Sequence, residues 1–183
     1  MRGIMIARGI SGLFLVLGCG GGKEPTGHIG GESLVLMNNR EYYQLLHSAL
    51  THAEESIHVV MYLAKYYPDE HSPVNLLLED LVEAHSKGVD VKVLLEGSDS
   101  VLDTLAVNYL RSRGVPVNLD PEEVTTHAKL IVLDGQAVVL GSTNWSNSAL
   151  NSNNETNVEI KDPTIAQVCE DYFQALWEAS ADD

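Results

Sequence analysis

Along the chain the spacing of apolar positions switches repeatedly between a period near two and one near 3.6, so strands and helices alternate. "SLVLM" from Ser33 reads as a strand. Residues 40–54 follow as a helix, with Tyr42, Leu45, Leu46, Ala49 and Ala53 on one face. "SIHVVMYLA" is a buried strand. Ser72 then offers an N-cap with Pro73 in the first turn, a pairing that starts helices because proline has no N–H to lose there. Val74, Leu77, Leu78, Leu81 and Val82 form that helix's apolar face, and Gly88 ends it. "VDVKVLLEG" is a strand, residues 100–112 a helix closed near Gly114, and "VPVNL" a short strand. An acidic loop, "DPEEVT", precedes the strand from His127 to Leu133. Asp134-Gly135 signals a hairpin, "AVVL" returns, and "TNVEI" adds another strand. Asp162-Pro163 opens a last helix, with Ile165, Val168, Tyr172 and Leu176 expected to face inward. This order predicts an α/β layer fold: a mixed sheet flanked by helices. No internal repeat is present.

Length and composition narrow the class. The 183 residues suit one domain of ordinary size, and 44% hydrophobic residues suffice for a core. Acids outnumber Lys plus Arg by 26 to 11, the opposite of a basic nucleic-acid binder. An acidic surface keeps a protein soluble and fits a salty habitat.

The first 32 residues read differently. Arg2 and Arg8 precede an apolar run from Ile10 to Leu17, which is about half of the ~20 residues a membrane span needs. A basic start, a short apolar run and a small-residue break describe an export signal. Gly18-Cys19 at its end resembles a bacterial lipoprotein signal, with plain cleavage or an uncleaved anchor as the alternatives. On that reading residues 1–18 are removed, Cys19 is acylated, and residues 19–32 form a flexible tether. The domain occupies residues 33–183, exported and held to a membrane, facing the periplasm or the exterior. Processing removes two arginines and no acid, leaving nine basic residues. Cys169 remains as a single thiol, which builds neither an intramolecular disulfide nor a zinc site. It lies on an apolar helical stripe and reads as buried filler.

The chemistry concentrates between residues 127 and 155. Side chains alternate along a strand, so His127 and Lys129 share a face with Ile131 and Leu133. The two polar groups stand roughly 7 Å apart along the chain. Pairing across the Asp134-Gly135 turn is expected to return Gly141, Ser142 and Asn144 beside them. An ammonium with hydroxyl and amide donors suits a phosphate, whose charge it would stabilise. An imidazole there could attack phosphorus or carry a proton. No metal-ligand spacing lies nearby, so neither a metal nor another cofactor is expected. Taken singly, His127 and Lys129 could be an ordinary half-buried pair, Ser142 and Asn144 loop caps, and Glu155 a solvated acid. His58, Trp145 and Trp177 read as packing residues. Tyr62, Tyr66 and Tyr67 read as core or rim, with lining of a substrate entrance as the alternative.

The spacing as a whole resembles a known family. His127-x-Lys129, four residues, Asp134, six residues and Gly141-Ser142-x-Asn144 match the HKD motif of the phospholipase D superfamily. "YYQLLHSALTHAEESIHVVMY", "LEDLVEAHSKGVDVKVLLEG" and "DYFQALW" resemble its scaffold segments, so the likeness covers about residues 33–178. It implies a metal-independent phosphodiesterase in which one histidine forms a phosphohistidine and a second, from another motif, protonates the leaving group. It also implies a phosphate-binding role for Lys129, Ser142 and Asn144, and a histidine-orienting role for Glu155. Asp134 and Gly141 would support the motif structurally. The chain has one motif, like the small bacterial nucleases of the family, which implies a homodimer with a composite site on its two-fold axis. Family substrates are phospholipid head groups and nucleic acids. The charge favours head groups, with DNA or RNA cleavage as the alternative and a catalytically silent, lipid-anchored binding module as a third reading.

Overall fold

Seven strands form one mixed sheet in the order β1-β7-β6-β5-β2-β3-β4. They are β1 (Leu34–Asn38), β2 (Ser56–Met61), β3 (Asp90–Leu95), β4 (Val117–Leu119), β5 (Lys129–Leu133), β6 (Ala137–Gly141) and β7 (Thr156–Ile160). The helices are α1 (Glu41–His52), α2 (Pro73–Ser86), α3 (Val101–Ser112), α4 (Asn147–Asn151) and α5 (Pro163–Ala179). The computed structural model describes residues 33–68, 70–97, 100–120 and 124–180. The expected export signal, Cys19 and the expected tether lie outside them.

The expected α/β fold is present. β2, β3 and β4 run parallel, joined by α2 and α3 as crossovers. β5, β6 and β7 form an antiparallel meander against β2, and β1 closes the far edge on β7. Both faces are covered, which is why β2 and β5 read as near-continuous apolar runs. On one face Ile57, Val59, Met61, Ile131 and Leu133 pack with Leu46 and Leu50 of α1, Leu77, Leu78 and Leu81 of α2, and Leu110 of α3. On the other, Val60, Leu94, Leu130, Val132 and Val138 pack under Ala166 and Phe173 of α5.

Local signals explain the boundaries. The Ser72 hydroxyl accepts from Val74 N at 3.2 Å, capping α2 as its sequence predicts. Asp162 caps α5 through Thr164 N and Ile165 N. Asp134 and Gly135 both have positive φ, 53° and 59°, as the tight hairpin requires. The Asp134 carboxylate also accepts from three backbone amides: Glu54 at 3.1 Å, Glu55 at 2.7 Å and Ser56 at 2.9 Å. The β5–β6 turn is thereby fastened to the start of β2.

Helix α5 departs from expectation. Ile165, Val168 and Tyr172 are 39%, 66% and 49% exposed, whereas Ala166 and Phe173 are buried, with Cys169, Leu176 and Trp177 packed beside them. The two stripes differ by one residue, a rotation of about 100°. The face carrying Phe173 and Trp177 buries more apolar area, and it also brings Glu170 to His58. His58 is buried, its Nδ1 lies 2.8 Å from Glu170, and its ring stacks on Phe173 at 4.6 Å.

Two changes test this framework. Asp134→Ala leaves three backbone amides without their acceptor and is expected to cost about 2–3 kcal/mol in urea unfolding, with Asp134→Asn losing less. At Gly141 an added Cβ would stand 2.5 Å from Thr156 O and 2.6 Å from Asn157 Cα, so β6 could not keep its distance from β7. Gly141→Ala is expected to cost about 2–3 kcal/mol by the same measurement.

Candidate active site

The site assembles where β2 and β3 end and β5 begins. Lys129 is the first residue of β5 and sits opposite Met61 of β2. His127 precedes the strand proper and is exposed. Its backbone is held on both sides: Thr126 N donates to Glu96 Oε2 at 2.7 Å, and Tyr62 N donates to Ala128 O at 3.0 Å. The imidazole is thus presented by a fixed chain although it lies outside the ladder.

Lys129 and Tyr62 frame that imidazole. Lys129 Nζ donates to His127 O at 2.8 Å and lies 3.2 Å from Nδ1 and 3.4 Å from Nε2. The Tyr62 ring tilts against the imidazole with centroids 4.4 Å apart, and Lys129 Nζ is 4.9 Å from the Tyr62 centroid. Burial lowers the pKa of the Lys129 ammonium from its ordinary value, while the Glu155 carboxylate opposes that shift. Lys129 and Glu155 therefore act on one another electrostatically.

The return segment alternates in function. Thr143 and Trp145 are fully buried. Thr143 N donates to Asn157 Oδ1 at 3.1 Å, and Asn157 Nδ2 donates to Thr143 Oγ1 at 2.7 Å and to Met37 O at 3.2 Å. Trp145 Nε1 donates to Tyr42 OH at 3.2 Å, and its backbone bridges Leu63 and Lys65. Between these anchors, Ser142 is exposed and Asn144 half-buried. Ser142 Oγ donates to Glu155 Oε2 and accepts from Thr156 N at 3.1 Å. Among the described residues, Asn144 Oδ1 is buried without a hydrogen-bond partner.

Glu155 takes a different partner from the one its motif suggests. Its carboxylate accepts from Ser142 and, at 3.0 Å, from Asn153 Nδ2. Asn39 Oδ1 accepts from Glu155 N at 2.8 Å. Within one chain, then, His127 is framed by Lys129 and Tyr62, and Glu155 by Ser142 and Asn153. Asp134 stands at the far end of the hairpin, in the backbone contacts described above. Among the described residues no group of three or more His, Cys, Asp or Glu is placed to hold a metal ion.

Sequence reasoning left Tyr62 with two roles and passed over Glu96, Thr143 and Asn157. Tyr62 and Glu96 both follow directly on parallel strands, at the carboxyl ends where α/β sheets place their ligands, and that position was the available signal. Asn157 had none, because its value lies in a neighbour 14 residues away.

The family described as "Cardiolipin synthase, PLD-like domain" matches residues 46–177. A mitochondrial cardiolipin hydrolase of Xenopus tropicalis is 33% identical over 94 residues, covering 51% of this chain and 45% of that protein. A phospholipase D of Rickettsia bellii is 29% identical over 100 residues, covering 55% and 48%. The chain spans about half the length of the curated relatives it matches. Among solved structures, Nuc of Salmonella typhimurium, a phospholipase D family member, superposes with a TM-score of 0.71 at 28% identity over 80% of this chain and 95% of that one. The motif, the sheet and the matched span agree, and the chain belongs to the phospholipase D-like domain family.

Proposed function

We propose that this protein is a metal-independent phosphodiesterase that removes the head group of a phospholipid through a phosphohistidine. The observation that carries the reading is the exposed His127 imidazole on a fixed backbone with the Lys129 ammonium against it. A ring nitrogen of His127 attacks phosphorus, forming a P–N bond as the P–O bond to the leaving alcohol breaks. A second imidazole gives that alcohol its proton. Water then attacks phosphorus, the P–N bond breaks, and the second imidazole takes a proton from the water, so both histidines are restored. Lys129, Ser142 and Asn144 hold the phosphoryl oxygens as charge builds on them.

The second imidazole comes from a second copy. His47 is engaged with Asp80, His52 with Ser48 O and His58 with Glu170, and the side chains found against His127 are those of Lys129 and Tyr62. A two-fold dimer that faces two His127 rings across one phosphorus supplies both roles. In that arrangement Glu155, committed to Ser142 in its own chain, orients the imidazole of the neighbouring copy.

The curated relatives named cardiolipin hydrolase and phospholipase D support a lipid substrate. So does the charge, because polynucleotides are held by rows of Lys and Arg, and this chain has 11 such residues against 26 acids. A lipid anchor at Cys19 would place the site at a bilayer surface.

The purified protein, with chelator present, is expected to release product from an aryl phosphodiester, and His127→Ala to lower kcat/KM by about a thousandfold. Because His127 is exposed, the variant keeps its fold, checked by circular dichroism. Specific activity should fall on dilution through the dimer dissociation range, with the mass change followed by sedimentation. Plasmid DNA, RNA and phospholipid vesicles presented side by side decide the substrate. Faster cleavage of nucleic acid than of lipid overturns the head-group assignment in favour of a nuclease. A folded dimer that turns over none of the substrates is a binding module.

A further inference from the structure

Three consecutive residues between β1 and α1 hold the segment that carries Glu155. Asn38 Oδ1 accepts from Thr156 Oγ1 at 2.8 Å, Asn39 exchanges hydrogen bonds with Glu155, and Arg40 Nη1 donates to Asn153 O at 3.0 Å. Asn39 meets Glu155 itself, and in a way that ladder pairing alone would not provide. In an antiparallel pair of this kind each residue gives its N–H to the other's carbonyl. Asn39 N does donate to Glu155 O, at 3.0 Å. The Asn39 carbonyl, however, is turned toward α1, where it accepts from Tyr42 N at 3.3 Å. Glu155 N donates instead to the side-chain oxygen of Asn39, at 2.8 Å.

The residue type answers two demands at once. Asn39 has a φ of 49°, in the left-handed region that glycine, asparagine and aspartate visit most readily. Glycine would make the turn but bring no acceptor, and a β-branched residue would strain it. Asparagine lets the chain leave β1 for α1 and still closes the last rung on Glu155. The effect reaches the carboxylate by a short path. The Glu155 backbone is engaged by Asn39 through both its N–H and its C=O. Asn153, whose carbonyl accepts from Arg40, donates to Glu155 Oε1 at 3.0 Å, and Ser142 donates to Oε2. Each carboxylate oxygen keeps a further lone pair, and the held backbone with two directional donors sets where those lone pairs point.

Resting on the phosphodiesterase reading above, we propose that Asn39 is a positioning residue for the reaction: it fixes the Glu155 backbone so that the carboxylate meets the imidazole of the neighbouring copy in the orientation that proton transfer needs. Asn39 acts through Glu155. Its contribution therefore falls on the rate of the chemical step and not on substrate binding, because a misplaced orienting group raises the barrier without removing a contact made in the ground state.

The test is a mutant cycle on the full-length protein with bis(4-nitrophenyl) phosphate. Asn39→Gly keeps the positive-φ turn and the backbone bond to Glu155 O, and removes only the acceptor for Glu155 N. It is expected to lower kcat about tenfold with KM little changed. Asn39→Asp restores the acceptor and accepts the same φ, so it should recover most of that loss. In a Glu155→Ala background, Asn39→Gly is expected to change kcat by less than about twofold, the non-additivity of two residues that act as one unit. An asparagine that serves the fold alone would show the same loss in both backgrounds. That outcome, or an unchanged kcat in Asn39→Gly, overturns the proposal and leaves the phosphodiesterase reading standing. Amide hydrogen exchange keeps the two apart in the other direction. In Asn39→Gly the Glu155 N–H should exchange about tenfold faster, while the amides of β2 and β5 keep their rates. If wild type leaves bis(4-nitrophenyl) phosphate intact, the phosphodiesterase reading fails and exchange alone decides: a faster rate at Glu155 upholds Asn39 as the hold on its backbone, and an unchanged rate overturns it.

Discussion

The antiparallel pairing of β5 with β2 is the constraint from which the site follows. β2 belongs to the parallel half of the sheet and β5 opens the meander, so their ladder joins two differently built halves. Its register sets Met61 opposite Lys129. Tyr62, the next residue out, then reaches the imidazole, and Lys129 can turn back onto the His127 carbonyl. A slip of one residue would send Lys129 to the α5 face and expose Ile131 and Leu133 to it. Asp134 guards against that slip at the opposite end, since its three backbone amide contacts exist only in this register.

With the register set, the site is supported from behind. Thr143, Trp145 and Asn157 are buried and satisfied, so the segment that carries Ser142 and Asn144 is anchored at every second residue. Polar groups in such networks are held in place by geometry before any substrate arrives, which is the condition for stabilising charge during a reaction. The groups turned outward are the ones with motif chemistry: His127 and Ser142 are exposed. A rigid back and an exposed front suit a surface that another molecule completes.

Much of this was readable from residue order. The caps at Ser72 and Asp162, the Asp134-Gly135 turn and the shared face of Ile131 and Leu133 each follow from local rules that packing did not override, whereas the strand expected from His127 begins at Lys129. Helix α5 was not readable to the same degree, because two apolar stripes one residue apart satisfy the same periodicity. The choice fell to long-range partners: Phe173 needed the sheet, and Glu170 needed His58, 112 residues away. Glu96 escaped for a similar reason. A lone acid after a strand looks solvated until the fold places Thr126 N at its tip.

β1, first in sequence, lies at one edge of the sheet, and among the described residues it pairs only with β7. Immediately after it, Asn39 exchanges two hydrogen bonds with Glu155: its amide donates to Glu155 O, and its side chain accepts from Glu155 N. Force applied along β1 would load the β1–β7 ladder in shear, and the Asn39–Glu155 pair ties the end of that ladder to a motif carboxylate.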